Sequence, residues 1–178
     1  MDPVFTNIDE VNRLPSEQFI KIFGNVVEHH PAAAIQILKN RPFRDAGSIS
    51  HAVNNYLDSL SEHEVRNILQ YIPELAGKLA DLGKMSLEST YEQSSAGLLA
   101  IPPDTKQKLS FMNEQYRIKF GFPYIICVRE KNSLGEILDD IQARLKNGGE
   151  EELSSALEEV KKIFFSQGIL ETTATSVS

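Results

Sequence analysis

The sequence predicts an all-α protein, a single compact domain of about eight or nine helices. Three observations carry that expectation. Apolar residues recur at three- and four-residue spacing through most of the chain, the mark of helices with one buried face. Capping patterns and prolines punctuate those stretches at helical lengths. The one run with strand composition, Phe122-Pro123-Tyr124-Ile125-Ile126-Cys127-Val128, has no second strand to pair with, so it reads as a buried extended segment.

The elements follow in order. Ser16 is the expected N-cap of a helix whose stripe is Phe19, Ile22, Phe23, Val26 and Val27. Pro31 breaks it and opens the next, with Ile35 and Leu38 on the core side; Arg41-Pro42-Phe43 closes that unit. A helix from about Ser48 buries Ile49, Ala52, Val53, Tyr56, Leu57 and Leu60. Ser61 and Glu64 form a capping box for a helix with Val65, Ile68 and Leu69 inward, ended near Pro73. Glu74 to Gly83 reads as a short helix, and Ser86 caps another that reaches about Leu99. After Pro102-Pro103 a long helix runs from about Asp104 to Lys119, with Leu109, Met112, Tyr116 and Phe120 on one side. Ser133 and Glu136 form a second capping box before Ile137, Leu138, Ile141 and Leu145. Gly148-Gly149 turns the chain into a last helix from about Glu150 to Phe165, with Leu153, Ala156, Leu157, Val160, Ile163 and Phe164 inward. The resulting organisation is an N-terminal segment over residues 1–15, a helical domain over 16–168 and a Thr- and Ser-rich tail over 169–178 read as disordered.

Composition bounds the function. The chain has 178 residues, 41% hydrophobic and 24% charged, which is globular composition. A formal net charge of -7 argues against a nucleic-acid partner, which would need a basic face. The single Cys excludes an internal disulfide and any multi-thiolate metal site. The longest apolar run is too short to span a bilayer, so no membrane partner is expected. The N-terminus carries no basic-then-apolar signal region, and Ser176-Val177-Ser178 does not match the usual peroxisome address.

Most reactive side chains have plain readings. Adjacent residues on a helix point about 100° apart, so His29-His30 is a poor ion grip; a helix-end pair beside the C-terminal dipole is expected. His51 and His63 read as solvated, and Cys127 as an inert core thiol. Glu150-Glu151-Glu152 suits a helix N-terminus. The stretch from Ser89 to Leu98 differs. Ser89, Glu92, Gln93 and Ala96 share one helical face, and a hydroxyl, a carboxylate and an amide beside a small residue either line a polar pocket or face solvent.

Several short segments at consistent spacing add a resemblance. They are Phe23-Gly24-Asn25-Val26-Val27-Glu28 with Pro31, Arg41-Pro42-Phe43, Pro73-Glu74-Leu75-Ala76-Gly77-Lys78, and Glu88-Ser89 with Glu92-Gln93 and Ala96-Gly97-Leu98. Asn113 with Tyr116, Phe120 to Ile126, Arg144-Leu145 with Asn147, and Glu158 to Ile163 complete the set. Together they resemble the decarboxylases of 2-oxo-4-hydroxy-4-carboxy-5-ureidoimidazoline (OHCU) in urate degradation, from about Phe19 to Ile163. The resemblance implies an all-helical, commonly homodimeric, cofactor-free carboxy-lyase. Its product would be S-allantoin and its partner a small-molecule ureidoimidazoline. It further implies that Glu92 is catalytic and that Pro73, Ser89, Thr90, Tyr91, Glu92, Gln93, Tyr124, Ile125, Ile126, Cys127 and Val128 bind substrate. A peroxisomal or cytoplasmic location goes with it. No metal is implied.

Two central positions depart from the pattern. The family's catalytic His falls on Ile72 and its Arg on Gln167. Ile neither donates nor accepts a proton, and loss of a general acid–base group costs ~10²–10⁴-fold in rate. Loss of the Arg removes a charge-assisted contact to an anionic substrate. Three readings stay open. One is a decarboxylase working through Glu92, with Tyr71 the nearest substitute proton donor. Another is an impaired or inactive homologue, a pseudoenzyme, that keeps the pocket for a ligand or a partner. The third is a different small-molecule reaction in a pocket that prefers a neutral ligand.

Overall fold

The computed structural model describes residues 7–25, 27, 30–75 and 102–166. Among these the chain is helical, with no strand. Its helices are α1 (Ile8–Arg13), α2 (Ser16–Phe23), α3 (Ala32–Leu38), α4 (Ala46–Asp58), α5 (Glu62–Gln70), α6 (Pro103–Phe120), α7 (Leu134–Arg144) and α8 (Gly149–Ser166). A 3-10 turn spans Val128–Glu130. The chain divides into two compact units, residues 1–68 with 161–178, and residues 69–160. The helix expected over Glu74 to Gly83 is described only at its first two residues, and the one expected from Ser86 to Leu99 lies outside the described residues, as does the tail.

The first unit is built on aromatic and aliphatic packing. Phe19 and Phe23 stack at 4.4 Å, and Phe43 lies 6.3 Å from Phe19. The Asn12 carboxamide donates to the Phe43 carbonyl at 2.8 Å and accepts from the Phe43 N–H at 2.7 Å. Arg41 donates to the Leu14 carbonyl at 2.5 Å while its guanidinium lies 5.2 Å from the Phe19 ring centroid. That explains how Arg41-Pro42-Phe43 closes the early helices: polar atoms of α1 and the following loop tie it down. Residues 8–13, within the expected N-terminal segment, form α1, whose N-cap Asn7 accepts from the Asp9 N–H.

Several local expectations are corrected. Ser16 is the first helical residue of α2, not its cap; Pro15 holds the N-cap position without a side-chain bond. In α3 the core takes Ala33, Ala34 and Ile37, while Ile35 is 44% exposed and Leu38 is half-buried. A seven-residue helix gives too few turns for a periodicity argument to select the face. α4 starts two residues earlier than expected, at Ala46, because Asp45 and Ser48 form a reciprocal capping box. The Ser61–Glu64 box is reciprocal as expected, with the Glu64 carboxylate accepting from the Ser61 N–H at 2.8 Å. The Ser133–Glu136 box is half formed. Ser133 accepts from the Glu136 N–H at 3.2 Å, but the Glu136 carboxylate takes the Asn132 N–H instead of that of Ser133.

Candidate functional site

The candidate site is built from the segment that follows α6. Pro103 at the start of α6 has no N–H to leave unpaired, and the helix buries Leu109, Met112, Asn113, Tyr116 and Phe120 on one face. It ends where Gly121 adopts φ +81°, a left-handed conformation that L side chains adopt at a steric cost. The chain then enters the interior: Phe122, Pro123, Tyr124, Ile125, Ile126 and Cys127 are all buried. Tyr116 is the hub, with ring centroids 4.6 Å from Phe120, 5.9 Å from Phe122 and 5.5 Å from Tyr124. The segment is buried and pairs with no strand among the described residues, as expected, and Cys127 has extended backbone.

Ionic groups replace the missing strand. Glu152 is fully buried and accepts from the Arg144 Nε and the Tyr116 hydroxyl, each at 2.5 Å, and from the Asn147 amide at 3.0 Å. Arg144, 7% exposed, uses Nη1 to donate to the Ile125 carbonyl at 2.7 Å. The Tyr124 hydroxyl donates to Asp140 at 2.5 Å; Arg144 lies 3.6 Å and Lys131 3.8 Å from that carboxylate. The Arg144 guanidinium also lies 4.8 Å from the Tyr124 ring centroid. Two turns further along α8, the Glu159 carboxylate accepts from the Cys127 N–H at 2.8 Å.

This electrostatic arrangement holds its protonation states. Burial works against the Arg144 charge, but the Glu152 carboxylate, through its charge and its hydrogen bond, offsets it and holds the guanidinium ionised. Burial and the Glu152 hydrogen bond push the Tyr116 phenol far up, and burial and Asp140 do the same for Tyr124. Both phenols stay neutral donors at any physiological pH. Glu152 is thus more than the dipole-matching acid that its place in a Glu triplet suggested. It is the counter-ion of Arg144, and the pair falls eight residues apart across the Gly148-Gly149 turn.

The expected substrate-binding positions meet different fates. Ser89, Thr90, Tyr91, Glu92 and Gln93, with Gln167 at the family's Arg position, lie outside the described residues. Ile72 is 5% exposed and Pro73 is exposed. Tyr71, the candidate substitute donor, is 65% exposed. Within the segment, the Ile125 carbonyl and the Cys127 N–H are committed to Arg144 and Glu159, and the Cys127 and Val128 carbonyls to the following 3-10 turn. The N–H and C=O of Ile126, which is 5% exposed, take no partner among the described residues. Nothing in the sequence pattern marks Arg144, Glu152 or Glu159 as site-forming residues. A buried charge in a charged stretch leaves no periodicity signal.

Elsewhere, His30 is half-buried and bonds the Tyr56 hydroxyl at 2.7 Å, not a helix-end dipole; burial lowers its pKa and the Glu64 charge partly offsets that. His29 lies outside the described residues. His51 and His63 are exposed and Cys127 is buried. Among the described residues no three His, Cys, Asp or Glu side chains could hold a metal, and no helix is long and apolar enough to cross a membrane. The Asn113 carboxamide is buried with neither its oxygen nor its nitrogen paired.

The all-helical architecture recurs in two solved structures. A crystal structure of (S)-allantoin synthase superposes with a TM-score of 0.73 at 19% identity; it covers 93% of this chain, which spans 54% of that one. A crystal structure of an OHCU decarboxylase in the presence of (S)-allantoin gives a TM-score of 0.61 at 21% identity, covering 85% and 93%. At those identities the likeness concerns the fold. The sequence goes further: residues 12–165 match the family model of OHCU decarboxylases. The chain is 34% identical over 157 residues to the OHCU decarboxylase of Xenopus laevis (88% of this chain, 89% of the relative). It is 37% identical over 154 residues to that of Amia calva (86% and 87%). The chain belongs to the OHCU decarboxylase family.

Proposed function

We propose that this chain decarboxylates OHCU to S-allantoin in urate degradation, without a cofactor. The observation that carries the reading is the family match over residues 12–165, which takes in residues 72–73, 89–93 and 124–128. Loss of carbon dioxide leaves an electron pair that must be stabilised by fixed polar groups and protonated on one face. In this reading Glu92 handles the proton. Ser89, Gln93 and the backbone of residues 124–128 hold the imidazoline and ureido groups. The side-chain-fastened segment supports that role, because a preset backbone donor and acceptor cost no reorganisation during reaction. A homodimer in the cytoplasm or the peroxisome belongs to the same proposal.

One observation favours a second reading. Position 72 carries a buried Ile in place of imidazole, which removes a group able to move a proton. A homologue impaired in chemistry that still binds a ureide, or a partner, through the same pocket is the alternative. A less cationic pocket would then prefer a neutral ligand.

The test generates OHCU in situ from urate with urate oxidase and the hydrolase that follows it. S-allantoin is followed by circular dichroism against spontaneous decay. The expected outcome is a rate above background that falls ~10²–10⁴-fold in Glu92→Ala. A wild-type rate equal to background, with activity appearing in the Ile72→His, Gln167→Arg double variant, would establish the alternative.

A further inference from the structure

We propose that Arg144 and Glu159 are positioning residues: they clamp the chain on either side of Ile126, so that its N–H and C=O stand preset for a ligand edge that carries a donor beside an acceptor. For its ligand, a cyclic ureide, the inference rests on the function proposed above.

The geometry is specific. Arg144 Nη1 holds the Ile125 carbonyl at 2.7 Å and Glu159 holds the Cys127 N–H at 2.8 Å. In an extended chain the polar groups of residues i and i+2 point to one side and those of the residue between them to the other. Clamping 125 and 127 therefore turns the Ile126 pair away from the clamp. Both fasteners are charge-assisted bonds, roughly twice as strong as neutral ones. Arg144 is itself immobilised, since its Nε is taken by Glu152, which is fully buried and also held by Tyr116 and Asn147.

The Ile126 pair is where the bonding is incomplete. Buried backbone groups are almost always paired, yet neither group of Ile126 has a partner among the described residues. A C=O and an N–H on one residue match the adjoining N–H and C=O of a ureide ring edge through two parallel bonds, the pattern of a bonded pair between strands. A cyclic ureide thus completes a ladder that no strand among the described residues completes. Side chains, not a sheet, then set the register of the binding backbone.

The full chain serves for the test, with Glu159→Leu, which removes the acceptor, and Glu159→Gln, whose amide oxygen still accepts. Arg144→Lys is the second variant; it keeps the charge but loses the fork that serves Glu152 and Ile125 together. Thermal melting checks that each is folded. The readouts are KM and kcat for OHCU, the Kd for S-allantoin by calorimetry, and hydrogen exchange at the Ile126 and Cys127 amides. Glu159→Leu is expected to weaken kcat/KM and allantoin binding by about 10- to 100-fold with faster exchange at both amides, and Glu159→Gln to recover most of the loss. Arg144→Lys, if folded, is expected to follow Glu159→Leu. Wild-type affinity and turnover in a folded Glu159→Leu would overturn the positioning role. A wild-type chain that neither turns over OHCU nor binds S-allantoin would instead sink the functional reading. In that case the amide exchange decides the clamp alone: unchanged exchange in Glu159→Leu refutes it.

Discussion

The two compact units solve the problem of a core in different ways. In the unit formed by residues 1–68 and 161–178, stacked phenylalanines and aliphatic residues fill the interior, and the Arg66–Glu62 and Lys161–Asp58 pairs among the described residues keep their carboxylates exposed. In the unit of residues 69–160, a guanidinium, a carboxylate and two tyrosines share the interior with the aromatics. Apolar packing is non-directional and tolerates repacking. A buried ion pair is directional, and it is weak evidence for stability because its desolvation cost is high. Its value in the second unit is geometric: it fixes one carbonyl of a segment that pairs with no strand among the described residues.

The largest effect that would break this contrast is at Glu152. Glu152→Ala leaves Arg144 buried without its counter-ion and should cost ~3–5 kcal/mol in urea denaturation. A loss below ~1 kcal/mol would mean that the second unit rests on its apolar contacts as the first does. Next comes Asn113. Its buried carboxamide is unpaired, so replacing it by an apolar side chain of similar size removes a desolvation penalty; Asn113→Leu should raise stability by ~1–3 kcal/mol. A destabilised variant would reveal a partner that the apo protein needs there.

The smallest effect sharpens the contrast from the other side. Asp45 caps α4 at an exposed position, and the Ser48 N–H bond lowers its pKa. A lowered folded pKa means stability present above the ordinary carboxylate value of about 3.9 and lost as pH falls through the folded value. Asp45→Asn keeps a capping oxygen but should lose that part of the acid dependence, read as a shallower fall in stability below about pH 4. Identical acid profiles would show that the cap adds nothing to the first unit beyond its hydrogen bond.

Much of the architecture was legible. The stripe of α6 names buried residues throughout, while that of α2 holds for Phe19 and Phe23 but leaves Ile22 half-buried, and that of α4 holds for Ile49, Ala52, Val53 and Leu57 but leaves Tyr56 half-buried and Leu60 past the helix end; the Ser61–Glu64 box marks the start of α5, because amphipathic spacing and capping are local rules. Short α3 and the Asp45 start of α4 were not, since a seven-residue helix barely samples its period and Ser at the third position is an unusual reciprocal cap. Family motifs, not periodicity, drew attention to residues 124–128. They did not reveal how that segment is held.

By itself the sequence determined an all-helical, acidic chain with one strand-like apolar run, a single thiol and a family pattern interrupted at Ile72 and Gln167. Those are properties of composition and spacing. The tertiary structure alone decided that Glu152 is fully buried and serves as the Arg144 counter-ion, that Arg144 and Glu159 take the Ile125 carbonyl and the Cys127 N–H, and that the Ile126 N–H and C=O between them take no partner among the described residues. The reason is physical. Which charge is buried, and which backbone group it satisfies, depends on elements brought together in space, and a charged residue reads the same in a sequence whether it faces water or the core.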